Sequence, residues 1–441
     1  MGATLDTSVL ARADGNALQA NLAVIKGRRP TGWIGQTHPA RRGELPFLWR
    51  DVLRIADRDL VDAVALSAPS HCIDGWSYAS RGVSAILSGD MHAARHLAYY
   101  AQLRAALSFL ANVGVGIFNG INFVVDDGGR VHRLDPDPVA PSSQRGLGTH
   151  KVVWQALEGW ANNSSQSKHL LEVLRLAGTS YRDCLDGIWP GSANAAVVVP
   201  LIASWGVDLR RAGADHDFRN VSSYVSHALN PLPQQVLGNL NFVANFWELH
   251  EPTGSGGFDK LDRFLLRSIL QAQHFRMYSN KSYGTGSISN RFDQLPATVR
   301  SVASREFLIS NVEKADPLLL TKARLRTSPA GPLEMMARAF LLLRTATALT
   351  HHSLAAAGVS SALGDLRPWL DTVATDRGFR DPNKPYTDIL ELWYEVQYAL
   401  EDLRSSKKPA PSSLADWIKR PNRGMPILTE VERIGVWSFG V

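Results

Sequence analysis

Only Cys72 and Cys184 supply thiols in a chain of 441 residues, which excludes a disulfide framework and a thiolate-held metal cluster. No uninterrupted apolar run reaches the roughly 18 residues that a membrane-spanning helix needs. The first residues, MGATLDTSVLARADGN, lack the basic stretch and apolar run of a secretory leader, so a cytoplasmic protein with no membrane partner is expected. No internal repeat period is visible. Dense Lys/Arg tracts are missing too: the arginines come in scattered pairs (GRRP, ARRG, LRRAG), so any surface for nucleic acid has to be assembled by folding.

What the chain does have is apolar bulk and a mild basic excess. Hydrophobic residues make up 45% of the sequence, enough for a substantial core, and Lys plus Arg outnumber Asp plus Glu by 47 to 41. A polyanionic partner is compatible with that charge without being required by it.

The periodicity predicts a mainly α fold, a multi-helix bundle with a small β-hairpin insertion near 121–134. Residues 1–46 are rich in Gly, Pro and Arg and read as an irregular N-terminal segment. A helix is expected from about Leu48. The stretch SGDMHAARHLAYYAQLRAALSFLANVG is the strongest helical block of the N-terminal half, with Asp90 as N-cap and Gly114 as its stop. Asp126-Asp127-Gly128-Gly129 separates two β-prone runs as a tight turn does. Helix resumes at THKVVWQALEGWA, with Thr149 expected as cap. A domain at 47–180, a mixed middle region at 181–295 and a helical region at 296–441 follow from these shifts in pattern, and the final RIGVWSFGV suggests an edge strand.

Tyr99-Tyr100-Ala101 within the Leu/Ala-rich helix, followed by Arg145 and His150 ahead of a second helix, resemble the HEPN superfamily, whose small helical domains carry an arginine and, several residues later, a histidine. The resemblance spans about residues 88–172. It implies a metal-independent endoribonuclease or RNA-targeting effector, of the kind found in toxin and antiphage systems, that acts as a homodimer and needs no cofactor. Arg145 and His150 would be its catalytic pair. The chemistry suits those residue types: an imidazole can give or take a proton, and a planar guanidinium grips two phosphate oxygens while staying charged. A histidine in the first turn of a helix also sits where amides and the helix dipole favour an anion.

The residues leave other readings open. His150 can be a solvated helix-start residue and Arg145 a loop cation, in which case the chain is a noncatalytic helical module that binds nucleic acid or a partner protein. A third reading is an enzyme acting on DNA or nucleotides through the middle region, where ADHDF offers Asp215, His216 and Asp217 as a cluster or as a polar turn. Arg344 and His351 share a helix face and form a possible second site, or else bond a buried carboxylate. Arg263, Arg267 and His274 share a stripe that reads as a solvated basic face able to meet phosphates. His92 and His96 have ligand spacing but no third ligand nearby, so no metal is expected. Neither glycine-rich loop ends in the Lys-Ser/Thr of a phosphate-binding loop.

Overall fold

The computed structural model describes residues 5–42, 44–46, 48–134, 148–195, 198–227, 229, 231–232, 236–253, 257–278, 287–310, 316–360, 364–381, 383, 390–405 and 424–440. It is mainly α-helical, with two small antiparallel sheets. Three long helices form the centre: α1 (Asp57–Ser88), α2 (Met91–Asn112) and α6 (Pro332–Ala356). The helices α3 (Thr149–Asn162), α4 (Ala212–Tyr224) and α5 (Asp259–Tyr278) pack around them.

Local chemistry sets the boundaries of this core. Asp57 and Asp59 put negative charge in the first turn of α1, where the helix dipole favours it. The helix ends at Gly89, whose φ of 84° is cheap only for glycine. Asp90 then starts α2, its side chain accepting the Ala93 N–H. Against this antiparallel pair lies α6, and small residues let it come close: a Cβ at Gly75 would stand 2.6 Å from Leu343, and one at Gly82 2.2 Å from Met336. The polar groups buried in this seam are paired across helices, Trp76 Nε1 donating to Thr347 Oγ1 at 3.0 Å and Asn112 Nδ2 to Thr350 Oγ1 at 2.9 Å. One apolar cluster runs from Leu5 to Phe439, so helices of the 47–180 and 296–441 segments share a core.

The expected hairpin is β2 (Ile121–Val125) with β3 (Val131–Arg133), and a further strand, β1 (Val115–Phe118), extends it to three in sequence order. Asp126 closes the turn by accepting the N–H groups of Gly128 and Arg130. Three local expectations are corrected. The helix expected from Leu48 is broken: Trp49–Val52 form one turn, and α1 begins at Asp57. Gly148, not Thr149, is the N-cap of α3. The C-terminal RIGVWSFG is the helix Arg433–Gly440, with Trp437 sealed in the core and Gly435 against Trp76.

Candidate functional site

Three helices bring titratable side chains to one point. On α2, His92, His96 and Tyr99 recur at the helical spacing that stacks them on one face, with Arg95 and Tyr100 beside them. On α4, His216, Arg219, Ser222 and Ser223 do the same and lie against α2. The start of α3 adds His150. The Tyr99 hydroxyl is 2.9 Å from His150 Nδ1, and the His150 and His216 rings are 5.1 Å apart. Tyr99 and His216 are 5.5 Å apart. Further up the same interface His96 Nδ1 donates to Ser223 Oγ at 2.8 Å, since that hydroxyl's own proton is spent on the Arg219 carbonyl. His92 stacks on His227 at 3.9 Å.

The electrostatics of this cluster are one-sided. Arg219 is 6% exposed, its guanidinium lies 5.3 Å from the ring centres of both Tyr99 and Tyr100, and its Nε has no acceptor. Arg95 is 1% exposed, donates one long bond of 3.4 Å to Ser222 Oγ, and also leaves Nε unmatched. Among the described residues neither arginine has a carboxylate within ion-pair distance. The buried acid Asp215 is engaged by Arg338 through both carboxylate oxygens. Burial pulls the Arg95 pKa down, while the charges of Glu334 and Asp215 oppose it.

Burial, then the positive neighbours His216 and Arg219, push the His150 pKa down to about 4, so this imidazole is neutral at neutral pH. Its partner phenol moves the other way, to about 12, again chiefly through burial. A hydroxyl that stays protonated can donate to Nδ1 or rotate and accept from it, so Tyr99 fits either neutral tautomer of His150. His150 and Tyr100 also line the end of a half-open cleft of about 870 Å³.

The other residues nominated by the sequence fall elsewhere. Arg145 lies outside the described residues. Arg344 is sealed in the core, donating to both oxygens of Asp262 at 2.9 and 2.8 Å, which is the buried-carboxylate alternative and leaves no second site with His351. Burial and the Arg344 charge lower the His351 pKa. The supposed basic face of α5 is interior: Arg267 is fully buried and paired with Asp316 and Ser310, His274 is 5% exposed beside Trp189 and Tyr278, and Arg263 lies against Phe264 and Phe307. That corrects the phosphate-contact expectation, because Phe307, Ser310 and Asp316 lie against the stripe. Asp215, His216 and Asp217 belong to a helix, not a turn, and split by role: Asp215 holds Arg338, while His216 joins the cluster. Sequence reasoning missed Arg219 and Arg95.

Two further groupings have structural explanations. His38, Asp59 and Asp62 hold ligand-capable atoms within 4.8 Å of one another, but His38 Nδ1 accepts the Ala40 N–H, so the neutral ring carries its proton on Nε2 and offers no free lone pair. A second cleft, of about 760 Å³, contains His132 and Asp126. Their 2.8 Å contact and the turn amides hold the Asp126 carboxyl down to about 2 and brace the hairpin. The chain matches no protein-family model, and no curated protein or solved structure is similar to it.

Proposed function

We propose that the chain cleaves RNA without a metal, through His150, His216, Arg219 and Tyr99. The observation that carries this reading is the Arg219 guanidinium, buried against two tyrosine rings with no carboxylate at ion-pair distance among the described residues and two imidazoles in the same cluster. A buried cation without a counter-charge is costly, and a phosphate group supplies that charge. Neutral His150 is the base: it takes the proton of the ribose 2′-hydroxyl on Nε2 while Tyr99 accepts from Nδ1–H. The 2′-oxygen then bonds to phosphorus, the bond from phosphorus to the 5′-oxygen breaks, and His216 as an imidazolium gives that oxygen a proton. Arg219 steadies the charge that grows on the phosphate. The products are a 2′,3′-cyclic phosphate and a free 5′-hydroxyl.

The resemblance to the HEPN superfamily supports the same reading and extends it to host or phage RNA as substrate and to a homodimer as the working unit. It nominates Arg145 as the clamp, whereas the geometry favours Arg219. Both imidazoles come from one chain, so the acid–base pair needs no second copy. Incubating the protein with end-labelled RNA in EDTA tests the proposal. Fragments ending in a cyclic phosphate, lost in His150→Ala and in Arg219→Met but retained in Arg145→Ala, are the expected result. Binding without turnover favours the noncatalytic module, and cleavage of DNA or loss of activity in EDTA favours the third reading.

A further inference from the structure

The cleft of about 870 Å³ that His150 lines is walled on one side by Pro30, Thr31, Trp33, Ile34 and Arg41 of the N-terminal segment, which folds as short helical turns and for which the sequence suggested no task. We infer that this cleft is a channel for a single-stranded stretch of RNA next to the scissile phosphate, an inference that rests on the ribonuclease reading of the His150 cluster. Its floor is one face of α1, from Ala63 to Asp74. At about 1.5 Å of rise per residue that face is about 16 Å long, room for several stacked nucleotides at about 3.4 Å each.

The lining separates into groups that suit such a strand. Arg41 and Arg42, on the N-terminal wall, are exposed and make no ion pair among the described residues. They are free to meet phosphates. Arg104 is committed, 2.8 Å from His71 Nδ1 and 3.7 Å from Asp74, so it stiffens the floor. Glu44 and Asp74 also line the cleft and keep its net charge low, which favours a few defined phosphate contacts over adhesion of any polyanion. Leu66, Leu103 and Leu107 give riboses and bases an apolar floor. At the hairpin edge the Phe118 ring stacks on Phe123 and is half-buried, which makes it the candidate for base stacking.

The inner end of the channel makes the link to chemistry. Tyr100 lines the cleft and at the same time lies against the Arg219 guanidinium, while Thr149 and His150 close that end. Arg219, 6% exposed, lies behind the lining, and Tyr100 is the side chain that touches both the cleft and the guanidinium. A flexible single strand can feed a phosphate into such a crevice, and a duplex, with both backbones on the outside of a stiff rod, cannot.

The test uses a fluorescent octaribonucleotide made uncleavable by 2′-O-methylation, with binding followed by anisotropy against salt. Wild-type protein is expected to bind the single strand at least 10-fold more tightly than its duplex. Arg41→Glu with Arg42→Glu should weaken binding at least 10-fold and flatten the dependence of log K on log salt by about 1.4, about 0.7 for each phosphate contact. Phe118→Ala should weaken binding with no change in that slope. Unchanged affinity in the charge-reversed variant, at an unchanged melting temperature, or a preference for duplex overturns the channel. If wild-type protein binds the single strand as expected and still leaves cleavable RNA intact, the catalytic reading fails while the channel stands.

Discussion

Replacing Arg219 with methionine is expected to make the folded protein more stable while removing its activity. Two buried arginines define the contrast. Arg344 is compensated: Asp262 receives two of its N–H groups in a dry seam. Among the described residues Arg219 has the faces of Tyr99 and Tyr100 and no carboxylate partner. Desolvating a guanidinium costs several kcal/mol, and each aromatic face returns about 2 kcal/mol. The uncompensated remainder is about 1–3 kcal/mol, which methionine releases while filling much of the same volume. Arg344→Met instead strands the Asp262 carboxylate and costs about 3–5 kcal/mol. Unfolding entropy near 2.1 cal/mol/K per residue over 441 residues makes each kcal/mol worth about 1 °C in Tm. Calorimetry in phosphate-free buffer should therefore show Arg219→Met melting about 1–3 °C higher than wild type and Arg344→Met about 3–5 °C lower. Phosphate at about 100 times its Kd should add about 2.7 kcal/mol to wild type and nothing to Arg219→Met. A fall in Tm for Arg219→Met comparable to that of Arg344→Met, or equal protection of both proteins by phosphate, would refute the reasoning.

Other consequences concern the neighbours of that cation and the buried histidines. Tyr99→Phe removes the partner of His150 Nδ1; cleavage should fall about 10-fold or more while stability drops by only about 1 kcal/mol, as expected for one lost hydrogen bond. The acid limb of kcat/KM should sit near pH 4, because it reports the free-enzyme pKa of His150, which burial lowers to about 4; a limb near pH 6.5 would argue against His150 as base. His250 is buried, with a pKa lowered from 6.5 to about 3 by burial. Between those values the unfolded chain binds the proton and the folded one does not, so stability falls as pH drops below 6.5, by about 2 kcal/mol at pH 5 from this group alone. Urea unfolding at pH 8 and pH 5 measures it, and His250→Phe should shrink the difference by that amount.

Where the determinants of an element are local, the sequence displays it. The Asp90 cap with the Leu/Ala block behind it gave α2, and Asp-Asp-Gly-Gly gave the turn between β2 and β3, because caps and turns are settled within a few residues. His150 was visible as a histidine in a helix's first turn. Its neighbours were not. Arg219 and His216 lie in a stretch whose polar residues mask its period, and only the docking of α4 on α2 joins them to His150. Arg344 meets an aspartate 82 positions away, and the α5 stripe looked solvated because nothing in its own residues announces the partners supplied by Phe307, Ser310 and Asp316. The tail misled for a different reason: eight apolar or small residues in a row satisfy a strand and a buried helix equally, and packing of Trp437 in the core decides for helix.

The central claim is that Arg219, His150 and His216 hold one phosphate group. Histidine-selective ¹⁵N NMR, following the His150 imidazole through a pH titration with and without a nucleoside 3′-monophosphate, tests it most directly. The account predicts titration near pH 4 in the free protein, a rise toward neutrality when the anion is bound, and no rise in Arg219→Met. A His150 pKa that ignores saturating nucleotide would contradict it.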